Sequence, residues 1–188
     1  LPTVPFGVNT GQVDIKLDIN MNPSTQLSVL RDICDVLEHQ GIPKLVILNG
    51  HGANDFRQMV RELWPCYEMF LCTVDWYRCV ESGIFEDPGD HAGEMETSLM
   101  QQLVPDLVLP LSDAGDGAER KFRIPALRDG VAWPQRDWVA ATADTGVGDP
   151  APATAEKGQR CLEQVSARIA DFLVDLAAAD LDDLYESK

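Results

Sequence analysis

A histidine flanked by glycines is the first candidate in this sequence for a residue that does chemistry. His51 lies in the segment KLVILNGHGAND, directly after a run of apolar residues that ends at Leu48. An imidazole can act as an acid, a base or a metal ligand near neutral pH. Gly50 and Gly52 would leave open space around it and allow backbone angles that other residues resist. A turn histidine bonded to a backbone carbonyl is the alternative interpretation of His51 taken alone.

Carboxylates surround a second glycine-flanked histidine about forty residues later. The segment GDHAGEMETS, residues 89–98, contains Asp90, His91, Glu94 and Glu96. Imidazole and carboxylate ligands suit zinc, manganese or ferrous iron, and a carboxylate can hold the second ring nitrogen of a ligating histidine. The alternative is an acidic helix start, because glutamates are favourable near a helix N-terminus. In a continuous helix Glu96 would point away from His91, so we expect the helix to begin after His91.

Alternating strands and helices would position the first histidine. The pattern predicts a helix over STQLSVLRDICDVLEHQG, capped by Ser24 or Asn22 and closed by Gly41. We expect KLVILNG to form a strand buried on both faces. A short helix stopped by Pro65 and the strand EMFLCTVDW follow. This order predicts parallel strands in a layered α/β domain, in which ligands bind beyond the carboxyl ends of the strands. His51 lies at such an end.

The remaining segments give weaker signals. The opening LPTVPFGV predicts a short strand or edge segment, and the second cluster should become helical before Pro105. Residues 107–153 read as a long loop, which is usually functional or folded over a partner; Trp133 and Trp138 within it are expected to make core or subunit contacts. A last helix is predicted from the N-cap Thr154. Its apolar face comprises Leu162, Val165, Ile169, Phe172, Leu173 and Leu176.

Composition excludes several classes of protein. A formal net charge of −16 at pH 7 argues against nucleic acid, because a polyanion needs a basic face. No apolar run approaches the roughly 20 residues of a membrane span. The 5 cysteines are scattered and form no CxxC pair, which favours reduced thiols and a cytoplasmic location.

The two clusters together resemble the creatininase family, also called creatinine amidohydrolases. The segment NGHGAND is similar to its Asn-Gly-His-Gly-Gly-Asn turn, and HAGEMETS is similar to its His-Ala-Gly-x-x-Glu-Thr-Ser element. The spacing of the clusters and Trp76 after the intervening strand fit the family order. The opening LPTVPFGVN resembles the segment that follows the family's first helix, and the resemblance weakens after about Leu111.

This resemblance implies a three-layer α/β/α fold with a mainly parallel sheet. It implies a single domain over residues 1–188, whose N-terminal strand–helix segment lies outside this sequence. The implied function is a metal-dependent amidohydrolase that cleaves a non-peptide C–N bond of a small amide, cyclic ones included. Family members bind two divalent metal ions, here expected to be zinc or manganese with iron as an option, and commonly form homo-oligomers such as hexamers.

Site residues follow from the matched positions. His51 matches the metal-binding histidine, and His91 matches the histidine taken as proton shuttle. Trp76 and Asp90 match positions that face the substrate. Glu96 is expected to be a further metal ligand. Glu94 is the alternative ligand, or a residue that orients one.

Two departures from the family bear on the metal site. The family's first ligands, a Glu-x-His pair and a following Asp, have no counterpart in residues 1–23, so we expect them to lie upstream of this sequence. Ala53 stands where creatininase proper has a glutamate ligand, which weighs against creatinine itself as the substrate.

The expected chemistry is hydrolysis by a metal-activated water. The metal would lower the pKa of that water and polarise the amide carbonyl. His91, oriented by Asp90 or Glu94, would protonate the leaving nitrogen. The alternative is a non-catalytic subunit or interaction protein with this fold and an incomplete metal site. A nucleotide-binding domain is disfavoured, because neither a GxGxxG nor a Walker segment follows a strand.

Overall fold

The computed structural model describes residues 1–186, which form two compact units. The first, here the sheet unit, comprises Leu1–Asn9, Ile19–Val80 and the described residues from Val165 on. The second, the loop unit, comprises Thr10–Asp18 and Glu81–Gln164. No helix within the described residues is long and apolar enough to cross a membrane.

Two parallel strands and two helices form the centre of the sheet unit. The elements are α1 (Pro23–His39), β1 (Lys44–Asn49), α2 (Phe56–Leu63) and β2 (Phe70–Asp75). Short 3₁₀ turns follow at Trp64–Cys66, which contains Pro65, and at Trp76–Cys79. Lys44 pairs with Phe70 at one end of the ladder and Asn49 with Asp75 at the other. The predicted parallel α/β arrangement is thereby confirmed.

An apolar cluster between the sheet and its two helices forms the core of this unit. The apolar positions of α1 recur at helical spacing and so lie on one face, which packs against α2 and the strands. Burying each large aliphatic side chain contributes about 1.5–3 kcal/mol. The buried members are Leu30, Cys34, Leu37, Met59, Leu63, Met69 and Leu71.

The ends of α1 show one correct prediction and one error. Gly41 adopts a φ of +70°, and the amides of Gly41 and Ile42 donate to the carbonyls of Glu38 and Leu37 at 2.9 and 3.0 Å. This left-handed C-terminal turn is the one that glycine favours. At the start, Asn22 occupies the N-cap position as predicted, whereas Ser24 lies inside the helix; a side-chain cap was wrong, because Asn22 makes no such bond. Its side chain accepts from Asn20 Nδ2 at 3.1 Å instead.

Two strand predictions also need correction. The opening segment was predicted as a short strand or an edge segment, and the strand is wrong. The segment forms an isolated bridge between Gly7 and Asn20 instead, since Pro2 and Pro5 lack the amide hydrogens that a ladder requires. The strand β1 is not buried on both faces, because Leu48 is 60% exposed. Within the described chain β1 pairs with β2 alone, so its apolar run is only partly covered.

The long helix α6 covers Ala155–Ala178. Thr154 caps its start as predicted, since its Oγ1 accepts from the amide of Lys157 at 3.2 Å. At the other end Lys44 Nζ donates to the carbonyls of Leu176 and Ala179, both at 2.7 Å. A cation there satisfies carbonyls that the helix leaves unpaired. Leu173, predicted to share the apolar face, is 44% exposed.

Short elements and long connections make up most of the loop unit, as the sequence predicted. Its helices before α6 are α3 (Glu94–Leu103), α4 (Pro125–Arg128) and α5 (Trp138–Ala141). Its 3₁₀ turns are Thr10–Gln12, Pro105–Leu107 and Leu111–Asp113.

Close backbone contacts explain several glycines of the loop unit. A Cβ built on Gly148 would lie 2.5 Å from the Cα of Gly89, and one on Gly93 would lie 2.9 Å from the same atom. Beside this contact His91 and Val147 form an antiparallel bridge, with the amide of each donating to the carbonyl of the other. Glycine is needed here because the chain segments touch without room for a side chain.

Candidate active site

The His51 turn begins directly after β1, at the carboxyl end of the parallel ladder. His51 Nε2 lies 3.0 Å from the carbonyl oxygen of Val8. A carbonyl oxygen can only accept, so Nε2 carries the hydrogen and Nδ1 has a free lone pair in the neutral ring. Metal-binding histidines are commonly oriented in this way. The contact therefore fits both interpretations of His51, a satisfied turn histidine and a ligand held ready.

Buried side-chain amides fix the backbone of this turn. Asn49, which is 1% exposed, accepts from the amide of His51 and from Asn54 Nδ2, both at 3.1 Å. Its own Nδ2 donates to Asp75 Oδ1 at 2.9 Å. A buried amide with all these bonds made resists rearrangement. The two asparagines of NGHGAND are thus the groups that hold His51 in place.

The network extends to residues that the sequence did not single out. Asn54 Oδ1 accepts from Gln26 Nε2 and from the amide of Val8, both at 3.0 Å. Asp75 pairs through Oδ2 with Arg57 at 3.2 Å and with an arginine from the following 3₁₀ turn. Gln26 could have been suspected as a polar residue on the otherwise apolar face of α1.

The two glycines beside His51 act differently from the prediction. Neither is among the positive-φ residues of the described chain, so the expectation of unusual backbone angles was wrong. A Cβ at Gly50 or Gly52 would meet nothing within 4 Å, in keeping with the open space that was expected. Trp76 lies next to this turn and donates from Nε1 to the carbonyl of Gly50 at 3.3 Å.

In the second cluster the helix starts late enough to bring Glu96 back to His91. Helix α3 begins at Glu94, so the expected start after His91 is confirmed. Glu96 Oε2 accepts from the amide of Ala92 at 2.7 Å and lies 3.8 Å from His91 Nδ1. At that distance the contact is too long for a hydrogen bond, and it is an ion pair only when the ring is protonated. Both side chains are about 40% exposed.

Glu94 has structural contacts at both carboxylate oxygens. It is fully buried, forms an ion pair with Lys157, and accepts from the amides of Glu86 and Asp87 at 2.8 and 3.1 Å. Burial raises the pKa of this carboxyl, but Lys157 and the two amides outweigh it and hold the pKa below its usual value. The alternative-ligand role of Glu94 stays a prediction, and it would require these bonds to break.

Asp90 and His91 both contact the segment around α5. Asp90 Oδ2 accepts from Arg136 Nη1 at 2.7 Å, and the rings of His91 and Trp138 pack edge to face with centroids 5.1 Å apart. The predicted core role of Trp138 left out this contact with the candidate site. The sequence offered one weak signal for these contacts, namely an arginine, Arg136, two positions before Trp138.

A small half-open cavity adjoins the His-Ala-Gly turn within the loop unit. Its volume of ≈ 90 Å³ is well below the 300 Å³ or more that is typical of ligand pockets. It could take a small group rather than a whole ligand. The cavity is lined by Ala92, Ala114, Gly115, Gly117, Asp144, Gly146, Gly148 and Pro150.

The donors do not form a complete metal site. Among residues 1–186 no group of three or more histidine, cysteine, aspartate and glutamate side chains is placed to hold an ion. His51 fits a ligand by its ring orientation, and Glu96 by its exposed carboxylate, but a zinc site needs three or four donors. Whether His51 and Glu96 share a cation stays a prediction.

Known proteins resemble this chain in sequence. The model of the family described as Creatininase: Creatinine amidohydrolase matches residues 1–173. A mycofactocin precursor peptide peptidase from Mycobacterium ulcerans (strain Agy99) is 35% identical over 127 residues, 65% of this chain and 44% of that protein. A second, from Mycolicibacterium smegmatis (strain ATCC 700084 / mc(2)155), is 31% identical over 132 residues, 68% of this chain and 47% of that protein. The chain thus spans less than half the length of these two relatives.

Solved structures share the fold. A candidate creatinine amidohydrolase from Bacteroides fragilis NCTC 9343 superposes with a TM-score of 0.89 and 42% identity, over 99% of this chain and 74% of that one. A creatininase superposes with a TM-score of 0.76 and 23% identity, over 96% of this chain and 76% of that one. Two further creatininase structures, a mutant of the Zn–Zn type and a Mn form, superpose with TM-scores of 0.69 and 0.65 at 23% and 22% identity.

Fold and turns together define an α/β protein with a histidine at the carboxyl end of a parallel strand and a second one beside a carboxylate. The chain belongs to the creatininase family. The α/β, creatininase-like fold class predicted from the sequence is confirmed.

Proposed function

We propose that this chain is part of a hydrolase that cleaves an amide C–N bond, with His91 as the proton donor to the leaving nitrogen. The observation that carries this proposal is the pairing of His91 Nδ1 with Glu96 Oε2 at 3.8 Å. The turn that carries His91 is held by the bridge from His91 to Val147 and by the bond from the Ala92 amide to Glu96 of α3.

Proton donation is the step that amide cleavage most needs from a side chain. An amide anion is a very poor leaving group, so the nitrogen must be protonated as the bond breaks. The Glu96 carboxylate faces Nδ1 and leaves Nε2 for the substrate. His91 is 39% exposed, so a substrate can reach it. In this proposal Asp90 and Trp76 contact the substrate, and Asp90 is 58% exposed as that role requires.

His51 and Glu96 are the proposed metal ligands. Support comes from the orientation of the His51 ring by Val8 and from the zinc and manganese forms of creatininases with this fold. Zinc or manganese is accordingly the proposed ion, with two per site by family resemblance. The described donors do not complete a coordination shell by themselves.

Two substrate classes are compatible with this chemistry. A small amide, cyclic ones included, is the class implied by the creatininases. A peptide bond is favoured by the mycobacterial relatives, which are described as precursor peptide peptidases and are 35% and 31% identical. Ala53, in place of the glutamate of creatininase proper, also weakens the case for creatinine. We therefore propose a peptide as the first substrate to test.

Assembly and location complete the proposal. We propose a homo-oligomer, with a hexamer as the family precedent, in the cytoplasm. Exposed apolar side chains support an assembly, since Trp133 and Val131 are 82% and 81% exposed and would be buried by a partner.

The test of this function compares two histidine substitutions of the same chemical kind. Amine release is measured from a set of short peptides and from creatinine, with zinc or manganese added. His91→Gln should lower kcat by about 10²–10⁴-fold, the usual contribution of a positioned acid. His39→Gln changes an exposed histidine at the end of α1 and should leave kcat unchanged. Full activity of His91→Gln would overturn the proposed role.

Metal content is measured separately by elemental analysis of the purified protein. His51→Ala should lose bound zinc or manganese and lose activity with it. A His51→Ala protein that keeps full activity would refute the metal assignment. If neither substrate class is turned over by the wild-type protein, the alternative of a non-catalytic subunit with this fold is favoured.

A further inference from the structure

Arg136 links several groups at the surface of the loop unit. Its Nη1 donates to Asp90 Oδ2 at 2.7 Å, and its Nε lies 3.1 Å from Glu119 Oε1. The guanidinium carbon also lies 4.6 Å from the ring centroid of Trp138, a cation–π distance. Two carboxylates and one aromatic face therefore hold this side chain, which is 29% exposed.

Trp138 also contacts the neighbouring imidazole of His91. Its ring meets His91 edge to face, with centroids 5.1 Å apart and planes at 69°. An edge-to-face arrangement is one that aromatic pairs prefer. Asp90 and His91, adjacent in the chain, are thus each contacted by one of two residues from a single short segment.

The segment that carries Arg136 and Trp138 packs against the turn that contains Gly11. A Cβ built on Gly11 would lie 2.2 Å from the carbonyl oxygen of Arg136 and 2.9 Å from Trp138 Cδ1. The 3₁₀ turn Thr10–Gln12 therefore packs directly onto this segment. Asp137 adds a cap, because its Oδ1 accepts from the amide of Ala140 at 2.9 Å.

We infer that Arg136 and Trp138, with Gly11 behind them, form a clamp that positions Asp90 and His91. This inference rests on the proposed function, in which His91 protonates the leaving nitrogen. An imidazole that is 39% exposed on a turn could adopt several rotamers. A proton donor is effective only in one geometry, and a misplacement of about 1 Å can cost 10²-fold in rate. The clamp restricts the ring from one side while Glu96 pairs with it at Nδ1.

Kinetics provide the first test. Trp138→Ala and Arg136→Gln should each lower kcat by about ten- to a hundredfold on the best substrate of the amine-release assay. KM should change little in Trp138→Ala, whereas Arg136→Gln should also raise KM because it releases the proposed substrate contact Asp90. Trp138→Phe keeps an aromatic edge and Arg136→Lys keeps the charge, so both should recover much of the lost kcat. A residue that served only the fold would not show this split between kcat and KM.

Matched controls lie away from the clamp. Trp64→Ala removes a tryptophan that is 71% exposed, and Arg128→Gln removes an arginine whose described ion pair is with the adjacent Asp129. Both should keep wild-type kcat. Gly11→Ala should resemble Trp138→Ala, since the added methyl group displaces the segment from behind.

A second readout is independent of turnover. In a protein with ¹³C-labelled histidine, the His91 ring signal should shift in Trp138→Ala, Arg136→Gln and Gly11→Ala, and stay in place in Trp64→Ala. The clamp is overturned if those signals do not move, or if kcat is retained in Trp138→Ala and Arg136→Gln while His91→Gln is inactive. If His91→Gln is itself active, it is the proposed function that fails.

Discussion

At the scale of single residues, Ala92 shows how tightly the His-Ala-Gly turn is built. Its φ is +50°, in the left-handed region that costs a non-glycine residue roughly 1–2 kcal/mol. Its amide donates to Glu96 and its carbonyl accepts from Thr97 Oγ1 at 3.1 Å. Strain of this kind persists only where the surroundings enforce it. The strain lies between the proposed proton donor and the helix that carries its carboxylate partner.

Replacing Ala92 with glycine should therefore stabilise the protein. We expect the free energy of unfolding to rise by about 0.5–1 kcal/mol, because glycine adopts a positive φ without the Cβ clash. Urea unfolding followed by circular dichroism measures the change. Ala167→Gly, an exposed position in α6, should instead lose about 1 kcal/mol. A loss of stability in Ala92→Gly would contradict the strain argument.

At the scale of elements, the ion pair of Glu94 and Lys157 joins the first turns of α3 and α6 in the loop unit. Lys157→Met should lower the free energy of unfolding by about 3 kcal/mol, because it leaves the buried Glu94 carboxylate without its cation. Denaturant unfolding gives the value. Glu62→Gln, which breaks the exposed pair with Arg31, should change stability by less than about 1 kcal/mol. Equal effects of the two substitutions would rule out a special role for the buried pair.

The same pair predicts a dependence of stability on pH. The pKa of Glu94 is lower in the folded state than its ordinary value, so the folded protein favours the charged form. This stabilisation is fully present above the ordinary carboxyl pKa, about 4.3, and is lost as the pH falls through the lower, folded-state value. The stability difference between wild type and Glu94→Gln should shrink over that acidic range. A difference that is constant with pH would exclude the linkage.

Elements that depend on local pattern were predictable from the sequence, whereas contacts between distant segments were not. Helix α1, the strands and Gly41 follow from spacing and turn residues within one stretch of chain. The hydrogen bond of Asp90 with Arg136 joins positions 46 apart, and no periodicity in the sequence predicts it. The glycines near His91 were recognised, but the reason for Gly89 lies at Gly148. The burial of β1 was overestimated because an apolar run does not reveal how many neighbours a strand has.

At the scale of the whole molecule, the net charge of −16 is the dominant property. Repulsion among like charges destabilises a compact chain, and salt screens it over about 10 Å at 0.1 M. The thermal midpoint at pH 7 should therefore rise between about 0.01 and 0.3 M NaCl. Near pH 4.3, the isoelectric point of the sequence, the same series should be flat or reversed. A midpoint at pH 7 that does not depend on salt would contradict this expectation.

The burial of Asn49 has a chemical consequence for the lifetime of the protein. Asparagine followed by glycine, as at Asn49-Gly50, is the dipeptide in which the next backbone nitrogen most readily attacks the side-chain amide and expels ammonia. In the native turn that amide is held by Asp75, His51 and Asn54 and cannot rotate to meet its attacker. Deamidation on storage would convert a donor facing Asp75 into another carboxylate. The folded turn therefore protects Asn49 from this reaction. The rate at which acidic variants accumulate would thus report how often this turn opens.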